Sequence, residues 1–170
     1  MYTAEYFIES LRMEPHIEGG YFKECLLGAD TLQDYGGTDG HDYDGESRHL
    51  WSSIYFLLRE EEVSHFHRLT YDEVWYYHAG NALTIYVIDE VGVLHAKKLG
   101  LNAQAGEQPQ IVVPAGCIFG SAMEEEGFSL VGCMCSPAFR YEEFELFSRR
   151  DLLAKYPQYE DVIVRLTREE

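Results

Sequence analysis

Short apolar runs that alternate with polar positions fill most of the chain, and turn residues interrupt them at close intervals. Alternation of this kind predicts strands, and many short strands in series predict a sandwich or barrel. The expected strands cover residues 21–27, 52–58, 63–69, 72–78, 83–88, 93–99, 109–113, 118–123 and 128–135. Turns between them come from Gly80-Asn81, residues 89–92, Pro114-Ala-Gly116 and residues 124–127. Helix is expected only at the two ends. Ala4, Phe7, Ile8 and Leu11 recur at helical spacing behind a Thr3 cap, and Pro15 with Gly19-Gly20 ends that helix. Ser148-Arg-Arg-Asp151 is a capping-box-like start for residues 151–155, and Pro157 fits the first turn of a last helix reaching Val164. Residues 28–47 differ in kind, because their Gly- and Asp-rich stretch 35–45 predicts a polar, mobile loop.

Composition narrows this picture. At 170 residues the chain fits one domain with a real core. Its 13 Tyr and 9 Phe suit pleated, half-buried surfaces and argue against disorder. The formal charge of −17 repels phosphate backbones and anionic lipid, and Lys97-Lys98 and Arg149-Arg150 are only pairs. Nucleic acid is excluded as an expected partner. No apolar run approaches the ~18 residues of a membrane span, and the amphipathic start carries Glu5 and Glu9, unlike a signal or transit peptide. The cysteines are expected as reduced core thiols, with Cys133 and Cys135 on one strand face rather than in a redox turn. A cytoplasmic location follows as the expectation.

The chemistry concentrates in residues 65–80. His65 and His67 stand two apart on a predicted strand, so both imidazoles are expected on one face. Glu73 opens the next strand, which can pair antiparallel with the first and bring its carboxylate beside them. Two histidines and a carboxylate can chelate a divalent transition metal; without metal they make a general base and its orienting partner. Alternation places Trp75 and Tyr77 on the face of Glu73, a polar centre inside an aromatic wall. His78 faces away and is expected at the surface unless a bulge shifts the register. Arg48 and Arg68 are candidates for holding an anionic group, with a surface ion pair to Asp72 the stronger expectation for Arg68. Ser53 and Tyr55, which share a strand face, and Gln110 are candidate lining residues. A carboxylate inside a barrel costs free energy unless paired, so Glu73 needs a partner or a purpose.

His65-x-His67, Glu73 and Gly80 resemble the first motif of the cupin superfamily, and residues 106–119, with Gly106 and Pro114-Ala-Gly116, resemble its second. The chain is most similar to a group of small cupins of the domain-of-unknown-function type (DUF985), which also carry an early Pro15-His-x-Glu-Gly-Gly-Tyr-Phe22 phrase. Asp72-Glu-Val-Trp75 and Val112-Val-Pro-Ala-Gly116 belong to the same likeness, which runs from about Leu11 to about Leu166. The resemblance implies an all-β double-stranded β-helix, the jelly-roll barrel, with His16, Glu18 and Tyr21 at the barrel mouth. It also implies a metal-binding histidine at the end of the second motif, where this chain has Phe119. A phenyl ring there removes a ligand and adds bulk to the pocket, so no cofactor is expected, with a divalent transition metal on His65, His67 and Glu73 as the alternative.

Three functions remain open at this point. One is a metal-free isomerase or epimerase acting on a sugar or nucleotide-sugar, resembling cupins of the deoxysugar epimerase type, with His67 as base, Glu73 as its partner and Tyr77 or Tyr21 as acid. Another is a metal-dependent oxygenase or isomerase. The third is a non-catalytic module that binds a small molecule in the same aromatic pocket. An open sheet edge and an N-terminal arm lead to the expectation of a homodimer.

Overall fold

The Thr3 hydroxyl accepts a hydrogen bond from the Tyr6 amide at 3.2 Å and caps helix α1 (Ala4–Ser10). The architecture is taken from a computed structural model that describes residues 2–35 and 47–169. The loop expected at 35–45 lies outside the described residues from residue 36 onward. After α1 come β1 (Glu14–Pro15), β2 (Tyr21–Leu27), β3 (Ser52–Arg59), β4 (Val63–Leu69) and β5 (Glu73–Gly80). Then follow β6 (Leu83–Ile88), β7 (Leu94–Leu99), β8 (Gln110–Val113), β9 (Ile118–Met123) and β10 (Phe128–Cys135). The chain ends in β11 (Phe144–Leu146), α2 (Arg149–Lys155) and α3 (Glu160–Arg165). The Ser148 hydroxyl accepts from the Asp151 amide, as a cap should.

The strands form two antiparallel sheets, ordered β1-β2-β3-β10-β5-β8 and β11-β4-β9-β6-β7. Their inner faces bury one core that includes Phe56, Leu58, Trp75, Ile85, Phe119 and Val131. Helix α1 covers the outer face of the first sheet, where Phe7, Ile8 and Leu11 pack on Leu57 and Leu130. Helices α2 and α3 cover the second, packing Leu152 and Ile163 on Phe66 and Ile118. The all-β expectation and the terminal helices are met. Nothing in the alternation pattern predicts β1 or β11; each is too short to show alternation and exists because a neighbouring strand offers it an edge.

Two features of this topology govern the site. β4 and β5 are not paired with each other, contrary to the expectation: β4 lies between β11 and β9, and β5 between β10 and β8. His67 and Glu73 therefore approach across the barrel interior from opposite sheets. β4 also carries a bulge, since Ser64 opposes Ser121 while His67 opposes Phe119. Within it the His65 amide donates to the Glu18 carbonyl at 2.7 Å and the Phe66 amide to the Leu166 carbonyl at 2.8 Å. An extra residue reverses which side chains face inward.

Candidate functional site

A cavity opens between the sheets, with about 620 Å³ of empty space when the solvent at its mouth is included. Its polar lining comes from both sheets and from the turn before β2, and includes His16, Glu18, Ser52, His67 and Glu73, with Glu24 and Tyr141 toward the exposed end. That turn is shaped by Gly19, whose φ of +112° is left-handed and whose Cβ would lie 2.0 Å from the Val63 carbonyl oxygen. Only glycine lets the turn press against β4 and aim Glu18 inward.

His67 is buried and sits between two rings, with the Phe119 centroid at 4.1 Å and the Phe144 centroid at 5.1 Å. Its Nδ1 lies 2.7 Å from the His65 carbonyl oxygen. A carbonyl only accepts, so Nδ1 carries the hydrogen and the neutral ring presents its Nε2 lone pair. That Nε2 is 3.3 Å from Glu18 Oε2. Glu18 Oε1 accepts from the Ser64 hydroxyl at 2.9 Å, and His16 Nδ1 accepts from the Glu18 amide at 3.2 Å. Glu73 stands on the opposite wall, where its Oε2 accepts from Trp75 Nε1 at 2.7 Å.

Burial dominates the electrostatics. It holds the His67 and His16 imidazoles toward the neutral form, and it raises the Glu18 carboxyl above its ordinary range. Glu73 is pushed up to about 7, first by burial and then by the charge of Glu18. Near neutral pH the site thus holds neutral imidazoles beside carboxyls that burial biases toward the protonated form. Cys133 and Cys135 line the wall beside Glu73, and burial raises both thiols, which keeps them inert.

Of the residues expected at the site, the structure places His16, Glu18, His67 and Glu73 on the cavity, whereas Trp75 and Phe119 are buried behind it and reach it only through Glu73 and His67. His65 is not on it. The bulge turns it away from the cavity, and its Nδ1 lies 2.5 Å from the Glu18 carbonyl oxygen. The His65, His67 and Glu73 set therefore does not converge, and among the described residues no group of three or more His, Cys, Asp or Glu is placed to hold a metal ion. The donor set does not fit the metal that the barrel family's motif implies.

Most of the other placements are corrections as well. Tyr21 lies on the outer face by α1, its hydroxyl accepting from Arg59 Nη2 at 3.2 Å. Tyr77 packs its ring on the core but donates its hydroxyl to the Gly80 carbonyl at 2.5 Å, away from the cavity. Neither tyrosine reaches His67 as an acid. Arg48 is buried, held bidentately by Glu143 at 2.6 and 2.7 Å and by the Ala138 carbonyl, so its charge is committed inside the fold. Arg68 pairs with Glu145 of β11, Nε to Oε2 3.0 Å, rather than with Asp72. Ser53 and Tyr55 face the outside of the first sheet, because Ser52, Ile54 and Phe56 take the inner positions of β3. Gln110 is exposed on the edge strand β8. His78 is exposed, as expected.

One wall of the cavity is absent from the sequence-based expectation. Phe139, Tyr141 and Phe144 close the cavity beside His16 and Phe22. The Phe139 amide donates to the Ser52 hydroxyl at 2.9 Å, and β11 zips onto the edge of β4. The only signal is the density of aromatic residues in 139–147, after a strand whose pattern reads as the last of the barrel.

Two facing sheets, an enclosed polar cavity and a histidine opposite the second-motif position define a cupin barrel. A family model described as cupin superfamily (DUF985) matches residues 5–147, and the chain belongs to that family. An X-ray structure of a Shewanella oneidensis protein is similar over 100% of both chains, with 52% identity and a TM-score of 0.89. A hypothetical protein from Leishmania major is 38% identical, covering 99% of this chain and 100% of its own, with a TM-score of 0.86. A point mutant of Bacillus subtilis oxalate decarboxylase shares the fold alone, with 15% identity and a TM-score of 0.55 over 96% of this chain and 39% of that one. No curated protein matches the chain.

Proposed function

We propose that the cavity binds a small polar, sugar-like molecule and moves protons on it without metal, as an isomerase or epimerase does. The observation that carries this reading is the placement of His67 Nε2 3.3 Å from Glu18 Oε2, facing a Glu73 carboxyl pushed up to about 7. Paired groups whose environments separate their acidities are what general acid–base chemistry at neutral pH requires.

The roles follow from the geometry. Neutral His67 takes the proton from a carbon next to a substrate carbonyl, and the Glu18 carboxylate stabilises the imidazolium that forms. Protonated Glu73 gives its proton to the carbonyl oxygen, so the abstracted electron pair ends as an enol rather than a bare enolate. Return of the His67 proton to carbon, on the same or the other face, with the oxygen's proton going back to Glu73, completes the cycle with every proton accounted for. The aromatic wall supplies apolar faces on which a sugar ring can lie.

The test is solvent exchange. Aldoses and ketoses are incubated with the protein in D₂O and followed by proton NMR for loss of the C–H signal next to the carbonyl. Exchange above the protein-free rate that disappears in His67→Gln supports the reading. Full retention of every such signal with the wild-type protein overturns it.

A further inference from the structure

Resting on the reading of this cavity as the ligand site, we infer that its ligand carries a positive charge: an ammonium group, as on an amino sugar, seated between the aromatic wall and the carboxyl groups.

Four aromatic rings, Phe22, Phe139, Tyr141 and Phe144, join Ile54 and Leu69 in the wall. The Phe22 centroid lies 4.6 Å from that of His16, and Tyr141 stacks on His16 at 6.4 Å with an interplanar angle of 21°. Phe139 meets Tyr141 edge-on at 4.9 Å, and Phe144 closes the corner at 6.3 Å from His16. Edge-on packing leaves the π-face of one ring of each pair uncovered by its partner. Such faces attract cations through the ring quadrupole.

The polar lining has one sign. Glu18 and Glu73 lie inside and Glu24 at the exposed end, whereas among the described residues no Lys or Arg belongs to the lining. Arg48, on β3's flank, is committed to Glu143 and the Ala138 carbonyl. Burial holds both histidines toward the neutral form and raises the two carboxyls as well, so the described lining has no cation of its own, and an ammonium group seated beside Glu18 and Glu73 is what draws these carboxyls to the carboxylate form. An anionic ligand, including the diphosphate of a nucleotide-sugar, would enter a low-dielectric cavity against carboxyl groups with no cation to meet it. An ammonium group there satisfies the carboxyl groups it displaces from water. The chain's net charge of −17 draws cations toward the mouth from outside.

The experiment compares glucosamine, glucose and glucuronate, which share a skeleton and differ in charge, with tetramethylammonium as a bare cation. The readout is the Trp75 indole N–H resonance, which reports on the cavity because Trp75 donates to Glu73. Glucosamine is expected to bind about tenfold tighter than glucose, with no binding of glucuronate and a measurable shift from tetramethylammonium. Tyr141→Leu, at a half-exposed position where folding is not at stake, keeps an apolar contact but removes the ring face, so it weakens both cations by a larger factor than it weakens glucose; an equal loss for all three overturns the inference. Glucuronate binding as tightly as glucosamine overturns the inference, as does failure of both cations to move the resonance. The two readings fail separately. If glucose exchanges deuterium but glucosamine binds no better than glucose, charge selection falls and acid–base chemistry stands. If glucosamine is preferred and no sugar exchanges, the converse holds.

Discussion

His67 Nε2 and Glu18 Oε2 lie 3.3 Å apart inside the barrel, and both are acceptors unless a proton sits between them. His67 Nδ1 is committed to the His65 carbonyl and Glu18 Oε1 to the Ser64 hydroxyl, so that single proton is the pair's freedom. The base-competent form holds no proton between them, with Glu18 ionised and His67 neutral; burial opposes the charge on Glu18, and the proton that His67 takes from substrate then joins the two as an ion pair. Glu18→Gln keeps a hydrogen-bonding group but cannot stabilise an imidazolium. The expected outcome is an exchange rate lower by about 10²-fold or more, against about 10²–10⁴-fold for His67→Gln, both measured by deuterium uptake.

His65 separates the structural reading from the sequence motif. Its ring lies outside the cavity and only braces the Glu18 carbonyl. His65→Ala is expected to cost about 1 kcal/mol for the lost hydrogen bond while leaving deuterium uptake near the wild-type rate. A loss as deep as that of His67→Gln would place His65 back in the site.

Glu73 gives the protein a pH signature. A carboxyl raised in the folded state from 4.5 to about 7 binds its proton more tightly folded than unfolded. Below pH 4.5 both states are protonated and Glu73 contributes no pH dependence. Between about 4.5 and 7 the unfolded chain ionises first, so stability falls as pH rises, by about 3 kcal/mol in all. The histidines held toward neutrality act oppositely below about pH 6.5, where the unfolded chain takes up their protons first. The difference between wild type and Glu73→Gln isolates the carboxyl. Urea midpoints across about pH 4.5–7.5 are expected to fall for wild type relative to the variant.

How much of this is legible in the sequence depends on where alternation survives. β6, β9 and β10 match their expected bounds although both faces of each are covered, because the turns at 80–81, 89–92, 114–116 and 124–127 mark their ends, and β4 matches as well. β3 is covered on both faces, with Phe56 and Leu58 in the core and Leu57 under α1. An apolar run has no parity, which is why the pattern points Ser53 and Tyr55 inward in place of Ser52 and Ile54. The bulge in β4 adds a residue that a strict two-residue period cannot register, and it removes His65 from the site. Glu18 is visible as part of a motif. Its pairing with His67 is not, because it rests on a tertiary approach between a turn and a strand far apart in the chain.

Arg48 tests whether a charge inside the fold serves structure or ligand. Glu143 holds it bidentately, and the Tyr71 ring lies 4.9 Å from its guanidinium carbon. Removing one partner of a buried pair leaves the other charge unmet, so Arg48→Ala is expected to destabilise by about 3–5 kcal/mol. Replacing both partners by Met and Leu recovers much of that loss. Chemical denaturation of the single and double variants checks both statements, and phosphate or sulfate should not raise the midpoint of wild type through this residue.

Gly19 carries the last prediction, because the site's geometry depends on it more than on any of the acidic groups it positions. A Cβ there would meet the Val63 carbonyl oxygen at 2.0 Å, and the backbone is left-handed at φ +112°. Gly106 is a control of similar conformation, at φ +81°, with nothing within 4 Å of an added Cβ. Gly106→Ala therefore incurs only the left-handed strain, about 1–2 kcal/mol. Gly19→Ala adds a backbone collision that can be relieved only by lifting the turn from β4, which breaks the two hydrogen bonds from His65 to the Glu18 carbonyl and withdraws the carboxyl from His67. Deuterium uptake is expected to collapse in Gly19→Ala and to persist in Gly106→Ala, with circular dichroism confirming that both variants keep the sheet. Equal uptake in the two would mean that the His67–Glu18 approach is not what drives the exchange.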